Sequence, residues 1–79
     1  MYLGIKEVKP ICETFSLILT FENGEKRKFD MKPYLETGIF QELKDPIKFN
    51  TAHLSFDTVE WNNEADIDPE VLYENSEPI

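Results

Sequence analysis

The chain has few of the residues that small proteins use for chemistry: one cysteine, one histidine and three glycines in 79 positions. A lone Cys12 closes no internal disulfide, so a cystine-stapled secreted scaffold is excluded and a reducing cytoplasm is the expected compartment. Gly4, Gly24 and Gly38 are too scattered to form a phosphate-cradling loop. No apolar run approaches the roughly 20 residues of a membrane-spanning helix, and the opening MYLGIKEVKP lacks the apolar core of a signal peptide. His53 falls on a strand pattern with no evident helper, which argues against a general base or metal ligand. Cys12 sits beside Glu13, and a carboxylate is the wrong companion for a nucleophilic thiolate. No catalytic residue, cofactor or metal is expected, and the chain does not read as an enzyme.

The most uneven absence is of positive charge. Residues 1 to 56 hold all eight bases and eight acids, whereas residues 57 to 79 hold eight acids and no base. The formal net charge of −8 therefore resides in the last part of the chain. Direct nucleic-acid binding, which needs a positive field, is disfavoured. Either this segment is a solvated face that aids solubility, or it steers a basic protein partner. Glu64, Asp66, Asp68 and Glu70 lack the central glycine and distant glutamate of an EF-hand loop, and Asp68 is better explained as a helix cap. Trp61 and Tyr73 flank these acids and read either as core or as an exposed aromatic patch. The candidate partner-binding set is thus Trp61, Glu64, Asp66, Asp68, Glu70 and Tyr73, with a basic protein as the partner.

What is present is enough for one small core: 41% hydrophobic residues and ten aromatics, read as a single domain over 1–79. The chain is organised around residues 14 to 31. Phe15, Leu17, Leu19 and Phe21 alternate with Ser16, Ile18, Thr20 and Glu22, the two-residue period of a strand with one buried face. Asn23-Gly24 reverses the chain into a second strand, Lys26 to Met31. A two-residue turn would send Phe29 to the wrong face. A three-residue loop with Gly24 in the left-handed region sets Phe29 opposite Leu17 and Met31 opposite Phe15, so the apolar pattern favours that register. Alternation also divides Lys26-Arg27-Lys28 between two faces.

Leu3, Ile5 and Val8 suggest a first strand that shifts phase at a bulge, with Pro10 placing it at an edge or strand end. Asp30, Pro33 and Gly38 punctuate one or two brief helices over 31–45, with Ile39, Phe40 and Leu43 on one face and a stop before Asp45-Pro46. Ala52, Leu54 and Phe56 then alternate as a strand, and Asp57-Thr58 turns into a last strand bearing Val59 and Trp61. Asp68-Pro69-Glu70 starts a closing helical turn, after which residues 74–79 are expected to fray. The expected fold is α+β: an antiparallel, meander-like sheet of four or five strands with one or two short helices packed on one face.

Three motifs stand out. L-x-L-x-F-x-x-G-x-x-x-x-F-D runs from Leu17 to Asp30, and F-x-x-L-x-D-P from Phe40 to Pro46. Trp61 is then followed by D-I-D-P-E-x-L-Y, ending at Tyr73. Together they resemble the small bacterial domain-of-unknown-function family 2442, over essentially the whole chain. Asn62, Asn63 and Glu64 depart from the Pro and Gly that relatives often show after the tryptophan. The resemblance implies a compact α+β domain and no established catalytic residues. It also implies work beside a second small protein in a toxin–antitoxin-like arrangement. Some longer relatives carry a helix-turn-helix domain, for which these 79 residues leave no room. The expected function is a non-enzymatic protein-interaction module. The alternative is a regulatory or ligand-sensing domain of a transcription-related system, acting as a dimer.

Overall fold

The computed structural model describes residues 4–79, so Leu3 of the expected first strand lies outside the described residues. In chain order the strands are β1 (Ile5–Ile11), β2 (Ser16–Phe21) and β3 (Lys26–Asp30). Two 3-10 turns follow, Lys32–Tyr34 and Gly38–Lys44, and then α1 (Pro46–Phe49). The chain continues through β4 (His53–Ser55), β5 (Thr58–Glu60), β6 (Asp66–Ile67), α2 (Pro69–Glu74) and β7 (Glu77–Pro78). The architecture is α+β, with a four-stranded antiparallel sheet ordered β1-β2-β3-β7. Strands β4-β5-β6 do not extend this meander but form a second, three-stranded sheet.

The central hairpin takes the bulged register. Leu17 lies opposite Phe29, and the Met31 amide donates to the Phe15 carbonyl at 2.9 Å. Gly24 carries φ 90 and its amide donates to the Phe21 carbonyl, closing the three-residue loop. Phe15 itself leaves the strand, at φ 49, and sets its ring edge-on against Phe49 with centroids 5.3 Å apart. Strand β1 lies at the edge of its sheet, and its register shifts between Ile5 and Glu7, the expected bulge.

One core unites the two sheets. Leu17, Leu19, Phe21 and Phe29 from the larger sheet meet Val59, Trp61, Ile67, Leu43, Phe49 and Leu72, each at most 7% exposed. Full burial of such side chains contributes about 1.5–3 kcal/mol each before entropy is counted. Trp61 is central: its ring lies 6.2 Å from both Phe40 and Phe49, and its Nε1 donates to the buried Phe49 carbonyl at 3.0 Å.

Several local expectations are corrected. The 38–44 segment has three residues per turn, so Phe40 and Leu43 share the inward face while Ile39 is 44% exposed. Asp45-Pro46 starts a helix as well as ending one, because the Asp45 carboxylate accepts from the Ile47 amide at 3.0 Å. The second hairpin turns at Phe56-Asp57, with Ser55 opposite Thr58, one residue earlier than read from the sequence. That ends the alternation at Ser55 and leaves Phe56 in solvent.

Residues 74–79, expected to fray, instead add β7 to the larger sheet. Arg27 pairs with Pro78 and Lys28 with Glu77, and the Ile79 amide donates to the Lys26 carbonyl at 3.2 Å. The cause is Arg27, whose guanidinium donates from Nε to Ser76 Oγ and from Nη2 to the Ser76 carbonyl, both at 2.7 Å. As the alternation requires, Arg27 lies opposite buried Leu19, while Lys26 and Lys28 take the other face.

Candidate functional site

The acidic segment begins at the turn after Trp61. The Trp61 amide donates to the Ala65 carbonyl, and the Glu64 amide donates back to Trp61. Closing this turn puts Glu64 at φ 70, the left-handed region that favours glycine. Asn63 reinforces it: its Oδ1 accepts from the Ala65 amide at 3.1 Å, and its Nδ2 donates to the Ile39 carbonyl. From there the backbone is extended through β6 to Asp68 (φ −58, ψ 134), so side chains alternate. Ala65, Ile67 and Pro69 are buried, while Glu64, Asp66, Asp68 and Glu70 are all exposed. Successive outward acids on such a strand lie about 7 Å apart, within the Debye length of about 8 Å at physiological salt, so their fields add.

Asp68 has a second duty. Its Oδ1 accepts from the Glu70 amide at 2.8 Å, capping α2, with Pro69 in the first turn. Asp66 belongs to a cross-strand row. His53 pairs with Glu60, and Glu60 with Asp66, so all three share the outer face of the smaller sheet. His53 Nε2 lies 3.7 Å from Glu60 Oε1, and its Nδ1 contacts the Thr51 carbonyl at 2.8 Å. The sequence pattern places His53 on a strand but does not show Glu60 beside it. The signal that reveals the pair is the turn, since a turn at 56–57 places 53 opposite 60.

The two aromatics of the candidate set face inward. Trp61 is 1% exposed and cannot meet a partner; it supports the acidic turn from beneath. Half-buried Tyr73 donates its hydroxyl to Glu25 Oε1 at 3.0 Å and packs edge-on against Phe21 at 5.1 Å. The Arg27 guanidinium lies 4.4 Å from the Tyr73 ring centroid, and its Nη1 reaches Glu25 Oε2 at 3.2 Å. The Tyr73 hydrogen bond is the chief reason the Glu25 carboxyl sits below its ordinary 4.5, assisted by Asn23 and Arg27. The same bond raises the Tyr73 phenol above its ordinary 10.0, with desolvation adding to the effect. This network ties α2 and the C-terminal strand to the central hairpin, which is a structural task.

Elsewhere, Cys12 donates its thiol to Glu13 Oε1 at 3.3 Å. The Glu13 carboxyl is held below 4.5 by a backbone hydrogen bond first and by that thiol second. A polar cleft of about 300 Å³ lies on the open side of the larger sheet, with Lys28, Lys32, Asp30 and Glu77 in its wall. A smaller one of about 190 Å³, between Lys48 and Asn63, borders the turn after Trp61. Neither includes His53, Glu60 or the outward acids. Among the described residues no three His, Cys, Asp or Glu side chains are grouped to hold a metal ion. Nor is any helix among them long and apolar enough to cross a membrane.

Fold and surface together define a class: a small two-sheet α+β domain whose carboxylates line one outward-facing segment. The family described as "Protein of unknown function (DUF2442)" matches residues 5–78, and the chain belongs to it. Neither the curated proteins nor the solved structures contain a match to this chain.

Proposed function

We propose that this protein is a non-enzymatic interaction module that recognises a small basic protein, in an antitoxin-like manner, through its acidic segment. The observation that carries this reading is the arrangement of Glu64, Asp66, Asp68 and Glu70. All four point outward from a backbone whose intervening residues, Ala65, Ile67 and Pro69, are buried. A solubilising tail needs no such anchoring; a recognition surface does, because ordering it in advance lowers the entropic cost of binding. Clustered carboxylates speed encounter with a basic surface and set orientation, and they make binding sensitive to salt. The single cysteine fits action in a reducing cytoplasm.

Affinity capture from the source organism tests the proposal, using the wild type beside the triple variant E64Q/D66N/E70Q. The expected result is a small basic protein retained by the wild type, released by salt and not retained by the variant. Equal retention by both would remove the acidic segment from the account.

A second reading, a ligand-sensing regulatory domain acting as a dimer, draws on the polar cleft beside Lys28 and Lys32. Its charged wall calls for a polar ligand. Dimerisation by sedimentation, lost in a K28A/K32A variant, would favour it.

A further inference from the structure

The last residues are held in the larger sheet without being buried. Strand β7 pairs with β3, yet Glu77, Pro78 and Ile79 are all exposed. Ordering them costs conformational entropy, and no apolar burial offsets it. What the docking accomplishes is to set Glu77 directly opposite Lys28. Lys28 lies on the face turned away from the core, and its cross-strand partner shares that face.

These two residues stand in the wall of the polar cleft of about 300 Å³. Opposite charges directly across an antiparallel pair are placed to join. Here, among the described residues, neither the Lys28 ammonium nor the Glu77 carboxylate forms an ion pair. Hydrogen-bonding groups surround them. Ser16, only 2% exposed, is the most deeply set of the lining residues; its hydroxyl accepts from Thr14 Oγ1 at 3.0 Å and donates to the Thr14 carbonyl at 3.3 Å. Asn75 engages its Nδ2 on the Val71 carbonyl at 2.9 Å, so its amide oxygen is the group it offers the cleft. Asp30 and Lys32 complete the wall, with the Lys32 ammonium 4.0 Å from Asp30 Oδ1. That contact is long and both side chains are more than half exposed, so it yields readily to a ligand.

We infer that the cleft binds a small zwitterion of the α-amino-acid type, its carboxylate on Lys28 and Lys32 and its ammonium on Glu77 and the Asn75 amide oxygen. The inference rests on the ligand-sensing reading above and supplies that reading's ligand class. Charge selects the occupant, because the wall carries two ammonium groups and two carboxylates. A simple anion is opposed by Asp30 and Glu77, and a simple cation by Lys28 and Lys32. A molecule bearing both charges meets a complement to each. Volume sets the size: about 300 Å³ lies at the lower end for ligand sites, which suits a small molecule.

The common L-α-amino acids, each brought to millimolar concentration, are titrated one at a time into the ¹⁵N-labelled full chain at low salt. At least one is expected to give saturable amide shifts at residues 14–16, 28–32 and 75–77. K28Q and E77Q, both at exposed positions, should each weaken that binding about tenfold. Their amide spectra away from the cleft should match the wild type, which separates lost binding from lost fold. The matching amine and the matching deaminated acid should not bind; this comparison uses the wild type alone and stands whatever the variants do. Binding of none of the amino acids overturns the inference, as does binding undiminished in either variant. Binding of the acid or of inorganic phosphate, strengthened in E77Q, makes the cleft an anion site and overturns it. Binding of the amine, strengthened in K28Q, makes it a cation site and overturns it equally. In each of these cases sedimentation of the wild type beside K28A/K32A still decides the ligand-sensing reading, so the zwitterion can fall while that reading stands.

Discussion

Replacing Arg27 by methionine tests how the last ten residues are held. Methionine keeps an apolar stem against the core, where the Arg27 side chain is 14% exposed, and removes the guanidinium. Two charge-assisted hydrogen bonds to Ser76, each 2.7 Å, are lost. At about 1.5 kcal/mol apiece they amount to about 3 kcal/mol. Ser76 is 6% exposed, so its carbonyl is left in a site with little access to water. For a domain of this size the total stability is of the order of 4–12 kcal/mol, so the loss is large. It corresponds to a thermal midpoint lowered by about 12 to 24 °C. The assay is unfolding followed by the fluorescence of Trp61, with hydrogen exchange at the Ile79 amide reporting release of β7. Arg27→Lys keeps the charge without the fork and should recover less than half. A midpoint for R27M within about 4 °C of the wild type would refute the tether, as would an R27K variant equal to wild type.

Trp61→Phe leaves the buried Phe49 carbonyl without its donor and opens a void, so urea unfolding should show a loss of about 2–4 kcal/mol. Gly24→Ala should cost about 1–2 kcal/mol through backbone strain alone, because a Cβ there meets nothing within 4 Å; a D-alanine at the same position should cost almost nothing. The lowered Glu25 pKa means that its contribution to stability is present above 4.5 and is lost as pH falls through the folded value. Tyr73→Phe removes the main cause of that shift, so its midpoint should fall less steeply than that of the wild type between about pH 5 and pH 3. An unchanged pH dependence would contradict the bond. At the alkaline end the sign reverses: the raised Tyr73 pKa gives stability present below 10.0 and lost as the phenol ionises.

The parts of the fold legible in the sequence are those set by local chemistry. The bulged register followed from asking which loop keeps Phe29 opposite Leu17, and Gly24 supplied the left-handed residue it needs. Asp68-Pro69-Glu70 announced α2 because cap, proline and first-turn acid all agree. The same Asp-Pro pair at 45–46 was read only as a stop, since four residues of helix carry too little periodicity to reveal themselves. The 38–44 face was misread because a 3.6-residue period was assumed where the turn has three. The docking of the tail depends on Arg27 reaching Ser76, 49 residues away, and no local pattern encodes that. In the candidate site, the four acids stood out as a set, but their common outward direction comes from β6, a two-residue strand too short to show in the sequence pattern. The inward placement of Trp61 and Tyr73 depended on which sheet would cover them, and the division into two sheets was not visible in the strand pattern.

The central claim is recognition of a basic partner by the anchored acidic segment. The most direct measurement is the affinity of the captured partner as a function of salt, for the wild type and for E64Q/D66N/E70Q. The account predicts affinity that falls steeply between about 50 and 300 mM salt for the wild type, and a weaker, flatter dependence for the variant. Identical affinities and identical salt slopes for the two proteins would contradict it.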